Sequence, residues 1–216
     1  MTQVLPVIHH IDNETALQEA KLAYESGADG IFLISHNGTN SLLPELGKKI
    51  KAQYPKFKVG LNLLGEPIMH AAHITKENNL DMVWGDSCGV SSLGLTNEGQ
   101  QLSDWAKENP EVEVFAAVAF KYQRAEHDPK LAAQNAKNAG FIPTTSGSGT
   151  GHAPSVDKIK NMSDDLLAVA SGMDCDNVKE FAPYLSHILV ATGVSIDDHH
   201  FDEEKLYKFI KIVQAA

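Results

Sequence analysis

A regular alternation between short apolar runs and amphipathic segments constrains this chain more than any other feature of the sequence. Each apolar run has the length of a buried strand, and each amphipathic segment has the spacing of a helix that covers a sheet. Eight strands are predicted, at residues 4–8, 30–34, 58–64, 80–84, 112–120, 141–144, 166–170 and 188–191. This alternation predicts an α/β fold, a (β/α)8 or TIM barrel, with a doubly wound open sheet as the alternative.

Length and charge limit the organisation and the partners of the chain. With 216 residues, of which 43% are hydrophobic, the sequence can bury one substantial core, so we expect one barrel domain over residues 1–216. The formal net charge is −10, and lysine and arginine form no cluster. A nucleic-acid groove and an anionic membrane surface are therefore not expected as partners.

Cysteine usage and hydropathy indicate the compartment. The two cysteines, Cys88 and Cys175, are far apart, which is typical of reduced thiols in the cytoplasm. No apolar run approaches the length of a membrane span, and the first residues lack the pattern of a secretion signal. We expect a soluble cytoplasmic protein, and the sequence leaves a homo-oligomer open.

The loops after the seventh and eighth predicted strands contain the strongest chemical signal. In barrels of this kind the reactive groups lie at the carboxyl ends of the strands, and these two loops commonly bind phosphate through backbone amides. Ser171-Gly172 and Thr192-Gly193 follow those strands. Glycine lets an anion approach the backbone and the hydroxyls donate hydrogen bonds, so we predict a phosphate site there. Tight turns without a ligand are the alternative.

A glycine-rich and hydroxyl-rich stretch follows the sixth predicted strand. It contains Thr145, Ser146, Gly147, Gly149 and Gly151. The stretch matches neither the dinucleotide fingerprint nor the phosphate loop that ends in Lys-Ser/Thr, so no cofactor is assigned. We predict a loop that covers the site, and the alternative is a plain connector.

Lys121 and Asp86 are the predicted catalytic residues. Lys121 follows the most apolar strand of the chain. An apolar surface beside its amine would lower the pKa of that amine, which favours acid/base or Schiff-base chemistry. Asp86 follows the fourth strand and can act as a general base or as the partner of Lys121. A solvated rim lysine and a loop aspartate are the alternatives.

Histidine and carboxylate side chains also follow several predicted strands. His9, His10, His36 and Asp86 are residue types that bind divalent metals, but no paired spacing accompanies them. We assign no metal, and a metal-dependent hydrolase or epimerase that uses these residues stays an alternative.

Three segments resemble the BtpA family. They are residues 144–154, residues 167–178, which include Ser171-Gly172 and Asn177-Val178, and residues 188–193, which end in Thr192-Gly193. The resemblance covers mainly the last third of the chain. It implies a ribulose-phosphate-binding barrel that takes a phosphorylated ligand, and it implies no particular reaction.

Together these features predict an enzyme that acts on a small phosphorylated metabolite, a phosphosugar or a nucleotide fragment. Acid/base or aldolase-type chemistry, as in lyases, isomerases and some transferases, suits a lysine and an aspartate at the barrel mouth. A non-catalytic protein that binds or assembles around a phosphorylated ligand is the alternative.

Overall fold

Eight parallel strands close into a barrel in the computed structural model, which describes Met1–Ala216. Around the barrel the strands follow the order β1, β10, β9, β8, β7, β4, β3, β2, and β2 closes back on β1. The strands of the barrel are β1 (Gln3–His9), β2 (Gly30–Ile34), β3 (Lys58–Asn62), β4 (Met82–Gly85), β7 (Glu113–Ala117), β8 (Ile142–Thr145), β9 (Ala168–Val169) and β10 (His187–Val190). The predicted (β/α)8 barrel is confirmed.

Eight α-helices alternate with the barrel strands. They are α1 (Asn13–Glu25), α2 (Leu43–Gln53), α3 (Ile68–Glu77), α4 (Asn97–Glu108), α5 (Pro129–Asn138), α6 (Val156–Met162), α7 (Val178–Phe181) and α8 (Glu203–Gln214). Asp12 caps the first helix by accepting the Thr15 N–H at 2.8 Å. No helix is both long and apolar enough to pass through a lipid bilayer.

A two-stranded hairpin lies inside the long loop that the sequence predicts between the fourth strand and α4. Its strands are β5 (Val90–Ser91) and β6 (Gly94–Leu95), and they pair antiparallel. Leu93 at the tip is almost fully exposed. Two residues on each side are too few to give a periodic pattern, so the hairpin has no signal in the sequence.

Alternation along each strand divides the apolar residues into two cores. Ile31 and Leu33 of β2 point outward and join a core of 48 buried residues that the helices cover. Phe32 and Ile34 point inward and join a separate core of 13 residues that fills the barrel. Within that inner core the rings of Phe32 and Phe115 meet edge to face, with 5.1 Å between their centroids. The inner core forms the floor of the site described below.

Charged and polar residues link the strands at the amino end of the barrel. Lys58 of β3 donates to both carboxylate oxygens of Glu113 on β7, at 2.9 and 2.8 Å, and to the amide oxygen of Gln3 at 3.2 Å. His187 of β10 is 4% exposed, and only its Nδ1 has a partner, the Ser186 hydroxyl at 2.8 Å. Gln3, Glu113 and His187 also line a cavity of about 590 Å³ at this end.

Candidate functional site

A cavity of about 450 Å³ opens at the carboxyl ends of the barrel strands. Its floor is apolar and includes Val7, Ile34 and Leu189 of the inner core. Polar side chains from the loops form its rim. The lining residues that carry the site are His9, His36, Asn62, Trp84, Asp86, Phe120, Lys121, Tyr122, Gln123, Thr150, Gly151, Ser171, Gly172, Met173, Thr192 and Gly193. Both predicted catalytic residues and all four predicted phosphate residues therefore line one cavity.

The backbone after β7 turns sharply on both sides of Lys121. Ala119 and Tyr122 adopt left-handed conformations, with φ of 47° and 64°. Such a conformation costs a residue with a side chain about 1 kcal/mol, so surrounding contacts must hold it. The Lys121 N–H donates to the Ser146 hydroxyl at 2.7 Å, which is one of those contacts. The turn also explains why β7 ends at Ala117, three residues before the predicted end.

Burial is the largest influence on the pKa of the Lys121 amine. Burial lowers the pKa of Lys121, and the neighbouring Tyr122 and Asp86 offset part of this effect. The ammonium nitrogen lies 5.5 Å from the centroid of the Phe120 ring, in cation–π contact. An amine with a lowered pKa is closer to the protonation state that a base or a nucleophile requires.

Asp86 follows β4 and shares the cavity with Lys121. Burial raises the pKa of Asp86, and the charge of Lys121 lowers it in part. The two side chains do not form an ion pair within 4.0 Å. Gln123 links their loops, because its amide donates to the Asp86 carbonyl at 2.6 Å. The carboxyl and the amine therefore line one cavity and shift each other's pKa without a direct ion pair.

The loops after β9 and β10 meet on the side of the cavity opposite β4. The Ser171 hydroxyl is directed toward the glycine-rich loop, 2.9 Å from the Gly149 carbonyl and 2.8 Å from the His152 carbonyl. The backbone N–H groups of Ser171, Gly172 and Met173 donate to no acceptor in the protein. Backbone amides, rather than the Ser171 side chain, are the free donors of this loop.

The two glycines of these loops are required by protein packing. A Cβ atom at Gly172 would lie 2.1 Å from the Ala153 nitrogen, and one at Gly193 would lie 2.0 Å from the Met173 carbonyl oxygen. Close approach between backbones therefore explains both glycines without a ligand. Their contact with a phosphate stays a prediction.

The predicted covering loop has two parts, one buried behind the cavity and one that lines it. Thr145 and Ser146 are buried, and Thr145 donates to the Ala119 carbonyl at 3.1 Å. Gly147 packs against the backbone of His152, where a Cβ would lie 2.0 Å from its oxygen. Of the predicted loop residues only Gly151 lines the cavity, beside Thr150. The first part of the loop therefore supports the site from behind, and the second part borders it.

The histidines and Asp86 are not brought together as the metal alternative requires. His9 and His36 line the cavity with 5.1 Å between their ring centroids. His10 is buried elsewhere, with its ring nitrogens 2.8 Å from the Thr39 hydroxyl and 3.0 Å from the Asn13 side-chain oxygen. No three histidine, cysteine, aspartate or glutamate residues are placed to hold a metal ion. The geometry gives that alternative no support.

Two buried donors in the wall of the cavity have no partner. They are the side-chain nitrogens of Asn62 and Trp84. Both residues also line a second cavity of about 750 Å³ between the main cavity and α3. Asn62 lies inside the strand predicted at residues 58–64, whereas in the structure it ends β3. Nothing in the sequence indicates that its amide would be left unpaired.

Comparison with known proteins identifies the fold and no family. No protein-family model matches the chain, and no curated protein sequence matches it. Phosphoribosyl anthranilate isomerase from Thermotoga maritima superposes with a TM-score of 0.70 at 17% identity, over 100% of both chains. The Thermus thermophilus isomerase gives 0.69 at 15% identity, over 99% of both chains. KGPDC from Streptococcus mutans gives 0.69 at 15% identity, over 100% of this chain and 98% of that one.

The resemblance to the BtpA family is wrong as an assignment. The similar structures described above are phosphoribosyl anthranilate isomerases and KGPDC rather than BtpA proteins, so they point to other families of the same fold. The segments that suggested the family are rich in glycine and hydroxyl residues at strand ends. Packing alone requires Gly172 and Gly193 at those places, so such short segments can recur in unrelated barrels.

Proposed function

We propose that this protein is an enzyme that acts on a small phosphorylated metabolite by acid/base or aldolase-type chemistry. The observation that carries the proposal is the arrangement of one cavity. Lys121 and Asp86 lie on one side of it, and the loops with Gly172 and Gly193 lie on the other. The phosphate would sit on the free amides of the second side, with the reactive carbon toward the first.

The charge of the cavity supports an anionic ligand. The chain as a whole carries a formal net charge of −10. The cavity lining does not share that excess of acidic groups, since Lys121 offsets its single carboxylate, that of Asp86. An anion therefore meets less repulsion in the cavity than over the rest of this acidic protein.

The two predicted catalytic groups have complementary environments. Burial lowers the pKa of the Lys121 amine and raises the pKa of the Asp86 carboxyl, so both move toward neutrality. Groups whose pKa values approach the working pH transfer protons most effectively. The amine would act as a base or add to a carbonyl carbon, and the carboxyl would move a proton at the neighbouring atom.

The similar structures add support of a limited kind. The isomerases are named for a phosphoribosyl substrate, and one of their structures is a complex with a reduced deoxyribulose 5-phosphate compound. At 17% identity these likenesses concern the fold. They make phosphosugars the first compounds to test. A cytoplasmic location and a homo-oligomer stay predictions.

Thermal-shift measurements with matched compounds test the ligand class. Ribose 5-phosphate and ribulose 5-phosphate would be compared with ribose, ribulose and inorganic phosphate. A ligand at about 100 times its Kd stabilises the folded state by roughly 2.7 kcal/mol, which corresponds to a Tm increase of about 5–10 °C for a chain of this size. Equal shifts with the phosphorylated and the free sugars would contradict phosphate recognition.

Substitution of Lys121 tests the chemistry. With the phosphate ester that stabilises the protein, Lys121→Ala should reduce turnover by about 10²–10⁴-fold, because a positioned acid/base or nucleophile contributes that much. Affinity should change by less than about threefold, since the phosphate binds on the opposite loops. Lys130→Ala, at an exposed position of α5, is the matched control. Turnover that persists in Lys121→Ala would remove Lys121 from the mechanism.

A further inference from the structure

Lys158 is a second lysine with an unusual environment, and it lies behind the cavity rather than in its lining. It belongs to the first turn of α6, and its ammonium nitrogen donates to the Ala119 carbonyl at 2.6 Å and to the Ser146 carbonyl at 2.7 Å. It forms no ion pair with a carboxylate. Two backbone oxygens from different loops therefore compensate its charge.

Lys158 is partly buried, whereas Lys160 on the same helix is exposed. Burial lowers the pKa of Lys158, with no opposite charge beside it. Lys160, two residues later, is exposed and lies 5.3 Å from the centroid of the Tyr184 ring. A partly buried cation is tolerated where hydrogen bonds compensate the loss of water, and here both acceptors are backbone carbonyls. The loops that supply these carbonyls are the ones that Lys158 joins.

Both carbonyls belong to residues that fix Lys121. Ala119 begins the left-handed turn that presents Lys121, and its carbonyl also accepts the Thr145 hydroxyl at 3.1 Å. The Ser146 hydroxyl accepts a hydrogen bond from the Lys121 backbone N–H at 2.7 Å. The ammonium of Lys158 thus joins the turn before Lys121 to the residue that its backbone contacts.

We infer that Lys158 is a positioning residue that clamps the loop after β7 to the loop after β8 and so directs the Lys121 amine into the cavity. The inference rests on the proposed role of Lys121. Without the clamp, the turn at Ala119 would relax toward a more common backbone conformation and the Lys121 side chain would move into solvent.

The protonation of Lys121 itself provides the test, because it needs neither substrate nor turnover. In protein labelled with ¹³C,¹⁵N-lysine, the Nζ chemical shift of Lys121 would be followed as a function of pH, with Lys121→Arg used to assign the signal. In Lys158→Met the pKa of Lys121 should rise toward that of the exposed lysines, since the amine becomes solvated. Lys158→Arg, which keeps a cationic donor, should return the pKa most of the way.

Controls separate a clamp from a general loss of structure. Lys160→Met, on the same helix, should leave the titration of Lys121 unchanged. Thr145→Val removes the other hydrogen bond to the Ala119 carbonyl without changing any charge, and it should raise the pKa of Lys121 by a smaller amount. A rise in this variant cannot come from loss of the Lys158 charge, and the variant also serves if Lys158→Met does not fold. An unchanged Lys121 titration in a folded Lys158→Met or Thr145→Val protein would overturn the positioning role.

The two proposals fail in different ways. If Lys158→Met shifts the pKa of Lys121 while Lys121→Ala keeps its turnover, the clamp stands and the proposed chemistry falls. If Lys121→Ala loses turnover while Lys158→Met leaves the Lys121 titration unchanged, the chemistry stands and the clamp falls.

Discussion

The two ends of the barrel contain similar charged residue types in different environments. At the amino end Lys58 is paired with Glu113 across the strands, and His187 is buried in contact with the inner core. At the carboxyl end Lys121 and Asp86 face a cavity and remain unpaired. Lys58 and Glu113 satisfy each other's charge at the first end, whereas the charged groups of the second end face a cavity. Barrels commonly use the amino end for stability and the carboxyl end for chemistry.

Deleting a large side chain from the packed interior and from the cavity lining should cost different amounts of stability. Phe115→Ala removes a fully buried ring that contacts Phe32 and His187, so unfolding in urea should show a loss of about 3–5 kcal/mol. Phe120→Ala makes the same deletion in the cavity lining, where one side of the ring already faces open space, and should cost clearly less. Equal losses would contradict the division between the two ends.

His187 should make the stability of the amino end depend on pH. Burial, followed by the charge of Lys58, lowers the pKa of His187 to about 4 in the folded protein. The unfolded chain takes up this proton near its usual pKa of about 6.5, so stability falls as the pH drops from about 6.5 to about 4, by up to about 3 kcal/mol. Urea unfolding across this window measures the slope, and His187→Gln should remove that contribution. A slope that His187→Gln leaves intact would assign the effect to other groups.

The histidines of the open end give the smallest expected effect. Burial, then the charges of His36 and His199, lower the pKa of His9, and the backbone and carboxylate of Asp198 raise it in part. His36→Gln removes one of the two imidazoles that lower the pKa of His9, so this pKa should rise. Proton NMR titration of the His9 ring measures the change, and His70→Gln, outside the cavity, is the control. A fall or no change would show that the two rings do not interact electrostatically.

The barrel was predictable because its signal repeats. Each strand has a continuous apolar run, since both of its faces are buried, and each helix has a periodic apolar face, so an error in one element does not change the topology. Element ends were less predictable. The strand that was predicted to reach residue 120 ends at Ala117, because the left-handed turn at Ala119 depends on contacts with β8 and α6 that are distant in sequence.

The position of the site was predictable, but its internal contacts were not. Strand-end location brought Lys121, Asp86, Ser171 and Thr192 to one cavity, because the topology alone determines which end of each strand is shared. The direction of the Ser171 hydroxyl depends on a loop 19 to 22 residues away. Lys158 lies on a helix with no motif, so only the three-dimensional arrangement indicates its contacts.

The packing of Gly172 affects how mutational data on this protein should be interpreted. A side chain at this position would clash with the backbone of Ala153 and would push the loop after β9 away from the glycine-rich loop. Loss of ligand affinity in Gly172→Ala would therefore measure the separation of two loops. A backbone amide can be examined without such a clash by an amide-to-ester substitution at Met173, which removes one N–H and leaves the shape of the cavity wall in place.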